Sequence, residues 1–481
     1  MGKMKNVKKI ILGVIIGSTV VALVVCFTIA YNNIKTKEEN NEASTIENSN
    51  ETSGSSSNIG LNSNSNSNSN SKSNTSSSSN SSSKSLSDKN VTITNGGSYN
   101  LSGSYESVTI NTKEEVTLNL NGAEITSSNG PGINVIEAKK VAIVVSGTNK
   151  VTAETTEELD GAIYSKADLE FSGTGSLEVK SNYDGIVSKD TLVIKNGTYT
   201  IDSSDDGIRG KDSVEILDGT FEIKAGGDGI KSTNDEDTSL GYITIEGGTF
   251  NIIAYNDGIQ AETDLTIKDG NFTIKTTDTK SDDSAKGIKA GNLLTISGGK
   301  YNINSIDDGI HTNGDLKIEN GEFTIVSKDD GIHADGMIEI NGGTYEITAA
   351  EGIEATYVKI NDGTINIEAS DDGINAGNKS SKYSVKIEIN GGNITVKMGQ
   401  GDTDGVDSNG DIIINGGTIS VTGQSTFDYD GTGTINGGTV ICNGEQVTTL
   451  PNQFMGGGMR GGNPGEMNPN GEMPGNMKRG R

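Results

Sequence analysis

Asp-Gly-Ile, or a close variant, recurs along most of this chain with its glycine at positions 161, 185, 207, 229, 258, 287, 309, 331, 352, 373, 405 and 431. The commonest separation is 22 residues, and the longer steps come from inserts. A fixed period of this size specifies a solenoid, in which no unit can bury its apolar face alone and each covers its neighbour. Every unit reads alike. After the signature comes an alternating apolar pair such as Leu192/Ile194, Val214/Ile216 or Leu316/Ile318. A tight Asn-Gly or Gly-Gly turn follows, then a second pair such as Tyr199/Ile201, Phe221/Ile223, Phe250/Ile252 or Tyr345/Ile347. Residues two apart on a strand share a face, so both pairs point inward and the polar residues between them point out. Three short strands per rung of about 22 residues predict an all-β parallel β-helix over residues 89–450. The aromatic column shares parity with the inward isoleucines and belongs to the core.

The composition fits this reading. Only 31% of residues are hydrophobic and the formal charge is −27, figures that ordinarily indicate disorder. A 22-residue rung needs only a few inward side chains, so the numbers suffice for a solenoid. Clustered Lys and Arg, which duplex nucleic acid requires, are outnumbered by acids, so no nucleic-acid partner is expected.

The ends differ. Lys3, Lys5, Lys8 and Lys9 precede an uncharged run from Ile10 to Ala30, long enough for a membrane-spanning helix. Residues 1–34 are therefore a transmembrane anchor, or alternatively a cleaved secretion signal, and both export the remainder to the cell surface or beyond. Residues 35–88 form a Ser/Asn-rich flexible linker, and 451–481 a Gly/Met-rich disordered tail. The two cysteines, Cys26 and Cys442, support neither a disulfide framework nor a thiolate metal site.

Equivalent positions of successive rungs stack, so chemistry is read down columns. Acids precede the rung glycine at Asp205, Asp206, Asp228, Asp257, Asp307, Asp308, Asp329, Asp330, Asp371, Asp372 and Asp404. Carboxylates one strand spacing apart repel by about 1 kcal/mol in water and about 3.5 kcal/mol at an effective dielectric of 20, so they need compensation. One compensation is the residue after the isoleucine: Arg209, Lys231, Lys289, His311 and His333. These are also the candidate ligand-binding residues. Past residue 350 that column becomes Glu354, Asn375 and Asp407, and basic partners vanish while the acids continue. Clustered carboxylates suit Ca²⁺, which takes six to eight oxygen ligands, so all the acids named above, with Glu354, Asp402 and Asp407, are the candidate calcium ligands, densest beyond residue 350. The bland alternative is that Asp-Gly is only a turn dipeptide. Inserts at 232–240, 276–286, 377–383 and 398–403 all flank the signature strand, which makes it the expected binding face.

The Asp-Asp-Gly-Ile segments, the Asn-Gly-Gly-Thr-(Phe/Tyr)-x-Ile turns and the Gly/Met-rich tail resemble the clostridial carbohydrate-binding family with a polysaccharide-lyase-like β-helix, over roughly 90–480. The resemblance implies a right-handed parallel β-helix, bound calcium, surface exposure, and binding of acidic plant polysaccharide such as polygalacturonate (pectin), and of cellulose. The expected function is calcium-dependent, non-catalytic polysaccharide binding with no catalytic residues assigned. The alternatives are a calcium-dependent polysaccharide lyase, with a basic residue of the column as its base, and a structural spacer or adhesin.

Overall fold

The computed structural model describes residues 84–86, 89–277, 285–400 and 403–452. The expected anchor, nearly all of the linker, the tail beyond residue 452, and Asp402 lie outside the described residues. No helix occurs among the described residues. All 43 strands join one continuous hydrogen-bonded sheet. Pairing between the described strands is parallel, apart from a terminal antiparallel hairpin of Thr439–Cys442 with Glu445–Val447, and one isolated antiparallel bridge joins Thr156 to Leu159.

A typical rung consists of Ile230–Ser232, Tyr242–Ile245 and Thr249–Ala254. It lies on Ile208–Gly210, Ser213–Ile216 and Thr220–Ala225, each strand paired with its equivalent. The first and second strands fuse across the corner in two later rungs, Ile332–Ile340 and Ile353–Ile360. The parallel β-helix read from the period is therefore the observed architecture.

Register places like on like in the core. Tyr199, Phe221, Phe250, Phe272, Tyr301, Phe323 and Tyr345 form one face-to-face stack with centroids 4.7–5.2 Å apart. All are essentially inaccessible, so they cannot stack on a sugar. Tyrosine is tolerated in this column because its hydroxyl reaches the turn: Tyr199, Tyr301 and Tyr345 each donate 2.8 Å to the carbonyl three residues back. That bond removes the penalty of burying a phenol.

Two glycine columns have different causes. In the turn before the third strand, Gly219 has φ 144° and Gly343 φ 104°, a conformation that L side chains rarely adopt. The glycine of Asp-Gly-Ile has no positive φ. It is required because rungs approach closely: a Cβ on Gly229 would lie 2.4 Å from the Gly258 carbonyl oxygen and 2.5 Å from Ile252. The signature is thus a packing motif and not simply a turn dipeptide. The column it defines slips at both ends. Asp184, not Gly185, pairs with Gly161, and Thr426 occupies the place expected of Gly431.

Substitution by alanine separates these causes. Gly229→Ala should destabilise the fold by about 1–3 kcal/mol through overpacking. Gly247→Ala, whose Cβ meets nothing nearer than 3.7 Å, should be close to neutral. Urea unfolding of the two variants measures the difference.

Candidate functional site

The signature strands line up their outward residues by backbone pairing. Arg209 sits beside Lys231, Lys231 beside Gln260, Gln260 beside Lys289, Lys289 beside His311, and His311 beside His333. The same column continues through Glu354, Asn375, Asp407 and Asp428. It changes sign along its length, and nothing else among the described residues marks one face so strongly.

The acids beside it divide into two ranks. The acid adjoining the glycine is buried in the middle rungs, where Asp184, Asp206, Asp228, Asp257, Asp308 and Asp330 are all 5% exposed or less, and half-buried at Glu351, Asp372 and Asp404. Its partner one residue earlier, at Asp205, Asp329 and Asp371, is exposed, and Asp307 is intermediate. The buried rank serves the backbone. Oδ1 of Asp184 accepts the amide of Asp206 at 3.0 Å, and Asp206, Asp228 and Asp257 repeat the contact to the next rung at 2.8–2.9 Å. Asp308 and Asp372 do likewise at 3.1 Å. Each such acid stitches its rung to the following one, a role the residue pattern alone did not reveal.

The other carboxylate oxygen faces the cations. Arg209 pairs with Asp160 and, at 2.5 Å, with Asp184. Lys231 pairs with Asp228 at 2.5 Å, and Lys289 with Asp257 at 3.3 Å. His311 Nδ1 lies 2.7 Å from Asp308, and His333 Nδ1 2.5 Å from Asp330 and 3.1 Å from Glu354. Two cations were not singled out from the pattern. Lys286 replaces the rung acid before Gly287 and holds Asp307 and Asp308, each at 2.7 Å. Its signal was present in sequence as a missing Asp. Lys379 comes from the insert after residue 376 and reaches Glu354 at 2.7 Å, so the cations extend slightly past residue 350. Nothing in the repeat foretells that contact, because the insert's path is set by tertiary bonds. Its Lys382 and Tyr383 lean back to Asp315, at 2.6 and 2.9 Å.

Beyond Glu354 the compensation ends. Among the described residues, no ion pair to Asp371, Asp372, Asp404, Asp407 or Asp428 is formed. Oδ1 of Asp404 is buried with no hydrogen-bond partner. Burial, with the charges of Asp371 and Asp404 added, raises Asp372 to about 6. Burial and the charges of Asp372, Asp404 and Asp428 lift Asp407 to about 7. Glu351 is pushed to about 8 by burial and by Glu354, Asp330 and Asp372, against a hydrogen bond from Asn375. In the paired region burial opposes the charged His333 ring, yet its bonds to Asp330 and Glu354 win and raise it to about 10. Burial likewise opposes ionised Glu354, but His333 and Lys379 pull it down to about 2.

Four trios of ligand atoms close to within 4.8 Å among the described residues: Asp308/His311/His333, Asp330/His333/Glu354, Asp184/Asp205/Asp206 and Asp307/Asp308/Asp329. Asp372, Asp404 and Asp407 are neighbours in register without closing so far. A shallow depression of about 530 Å³ elsewhere, lined by Asp269, Gly270, Lys300 and Glu322, follows the glycine turns and carries no comparable chemistry.

The class defined by these features is a parallel β-helix presenting one long charged face. The model of the family described as carbohydrate-binding domain-containing protein matches residues 87–331 and 325–449, and the chain belongs to that family. A carbohydrate-binding domain-containing protein of Acetivibrio thermocellus is 31% identical over 131 residues, 24% of this chain and 46% of the relative. The chain thus spans less than half of that relative's length. Among solved structures, a polysaccharide lyase-like protein from C. thermocellum, studied as a gadolinium derivative, is 27% identical. That match covers 48% of this chain and 88% of the other, with a TM-score of 0.38.

The raised carboxyls fix the sign of a pH response. A group whose folded pKa exceeds its unfolded value contributes stability that is full below the unfolded value and is lost as pH rises through the folded one. Glu351, Asp372 and Asp407 lose theirs from the ordinary carboxylate range up to about 8, 6 and 7, and His333 loses its own from the ordinary imidazole range up to about 10. The depressed Glu354 contributes above the ordinary carboxylate range and is lost only as pH falls through about 2. In chelator, the melting temperature should therefore fall between about pH 5 and pH 8. Asp407→Asn should flatten that slope in a thermal-melt series.

Proposed function

We propose that this chain is a non-catalytic carbohydrate-binding protein displayed at the cell surface, its ligand an acidic plant cell-wall polysaccharide of the polygalacturonate class. Cellulose is a second ligand on this reading, and the N-terminal segment tethers the protein to the membrane or exports it.

The observation that carries the proposal is the change of sign down one column, from Arg209 and Lys231 to Asp407 and Asp428. On the N-terminal rungs the acids are neutralised from within. On the C-terminal rungs they are not, and a cation supplied from solution does the same work. Asp372, Asp404 and Asp407 would hold it. The donor set is hard oxygen, and Asp404 Oδ1 is a buried acceptor without a donor. Both features fit Ca²⁺, which tolerates irregular shells of carboxylate, carbonyl and water. Calcium that keeps open positions can also take a uronate carboxylate, which lets an acidic protein bind an acidic polymer.

A lyase reading needs a base able to accept a proton from the sugar. Burial opposes the charge on Arg209 and on Lys231, but carboxylates nearby outweigh it and hold both more firmly protonated than usual. His333 is held in the same way. At these three positions this favours binding without turnover.

Sedimentation of the protein with insoluble polygalacturonate tests the reading. Retention is expected in millimolar Ca²⁺ and is expected to drop at least about tenfold in EGTA or in Asp404→Asn/Asp407→Asn, since first-row or alkaline-earth sites lose most affinity with their ligands. Retention equal in Ca²⁺ and EGTA would remove the calcium bridge. Unsaturated uronide appearing in the supernatant would instead establish a lyase.

A further inference from the structure

The two histidines of the chain, His311 and His333, occupy paired positions on adjacent rungs. Their rings lie face to face, with centroids 4.8 Å apart and planes 26° from parallel. In each ring Nδ1 faces a buried carboxylate: Asp308 at 2.7 Å for His311, and Asp330 at 2.5 Å for His333. A carboxylate on Nδ1 fixes the tautomer and ring orientation and makes the other nitrogen more basic. This is how metal-binding histidines are commonly supported. The other nitrogens, Nε2, turn away from the buried acids. His311 Nε2 is 2.9 Å from Asn313 Oδ1, and His333 Nε2 is 3.4 Å from Asp335 Oδ1. Asp335 is 42% exposed, so this outer edge is open to solvent. Two imidazole nitrogens, one carboxylate and one amide oxygen thus lie along one solvent-facing edge of adjacent rungs, over a buried carboxylate support.

We propose that His311 and His333, with Asp335 and the Asn313 carbonyl oxygen, form a site for a borderline divalent transition-metal ion of the Zn²⁺ class. The site is separate from the carboxylate rungs proposed for calcium. Imidazole is a poor ligand for Ca²⁺ and a good one for Zn²⁺, Co²⁺ or Ni²⁺. The ion takes the place of the second ring proton on each Nε2; the stacked rings present nearly parallel lone pairs, so binding turns the two side chains toward each other at the open edge. Asp308 and Asp330 position the rings and do not bind the ion. The result is two cation sites of different chemistry on one face, the nitrogen-rich one in the paired region and the oxygen-only one beyond it.

The test uses the untagged full-length chain, stripped with chelator and titrated with Co²⁺ while its visible ligand-field absorption is followed. One Co²⁺ per chain is expected, chased by equimolar Zn²⁺ and unaffected by millimolar Ca²⁺. His311→Gln and His333→Gln should each weaken binding at least about tenfold, the scale on which support of a metal site is felt. Asp404→Asn should leave it unchanged, which keeps this result independent of the calcium reading. Circular dichroism checks that each variant keeps its β structure. Should a histidine variant unfold, Asp335→Asn at the open edge serves in its place and should also weaken binding. Absence of ligand-field bands in the wild-type chain overturns the proposal. So do bands that persist unchanged in folded His311→Gln/His333→Gln, or in Asp335→Asn.

Discussion

Everything in this fold follows from stacking equivalent residues one strand spacing apart in parallel register. Where the residue is apolar, like on like is favourable. The aromatic column buries seven rings against one another at 4.7–5.2 Å, and the isoleucines beside it do the same on the strands' inner faces. Where the residue is glycine, like on like allows an approach that no Cβ would tolerate. Where the residue is charged, the same geometry turns hostile, since about 3.5 kcal/mol of repulsion per neighbour at an effective dielectric of 20 would accumulate down the column.

The chain meets that hostility in two ways. One carboxylate oxygen is assigned to the backbone: the amide of each following rung donates to the buried Asp, which gives the acid a structural task whatever its charge. The other oxygen is met by a cation one column over, as in Lys231 with Asp228. Removing one partner of such a buried pair leaves an uncompensated charge, commonly costing 3–5 kcal/mol. The arrangement is therefore not freely editable in its paired region. With Lys379 it stops, and the same backbone geometry carries Asp372, Asp404 and Asp407 without counter-ions among the described residues. Raised carboxyls are the physical expression of that change.

Much of this was legible in the sequence because a solenoid turns period into place. The spacing alone identified the inward pairs, the core aromatics and the column that opposes Arg209 to the acids. The reading was weaker where repetition fails. Gly161 and Gly431 matched the motif but not the register, because Ala162 intervenes before the inward Ile163 and Gly431 follows the strand Ser425–Tyr429 instead of opening it. Lys379 lay in an insert whose path is set by contacts such as Thr356 with the amides of Lys379 and Ser380, to which no periodicity applies. The hydrogen bond from each acid to the next amide was hidden for a different reason. It depends on which carboxylate oxygen faces the backbone, and sequence names only the side chain.

A face built this way has a consequence for recognition. A pocket gathers its groups around a point, whereas a stack repeats them along a line, one set per rung. For the polymer ligand proposed above, each rung offers a weak contact, and affinity comes from engaging several at once, since every contact after the first is intramolecular. A single substitution among the paired cations then removes one contact of many and is felt mainly through local stability. A substitution among the unpaired acids acts differently on the calcium proposal, because a metal ion shared by adjacent rungs would be lost as a unit. Sensitivity concentrated at Asp372, Asp404 and Asp407, on a face otherwise tolerant of change, is what distinguishes a metal-bridged array from a merely charged one.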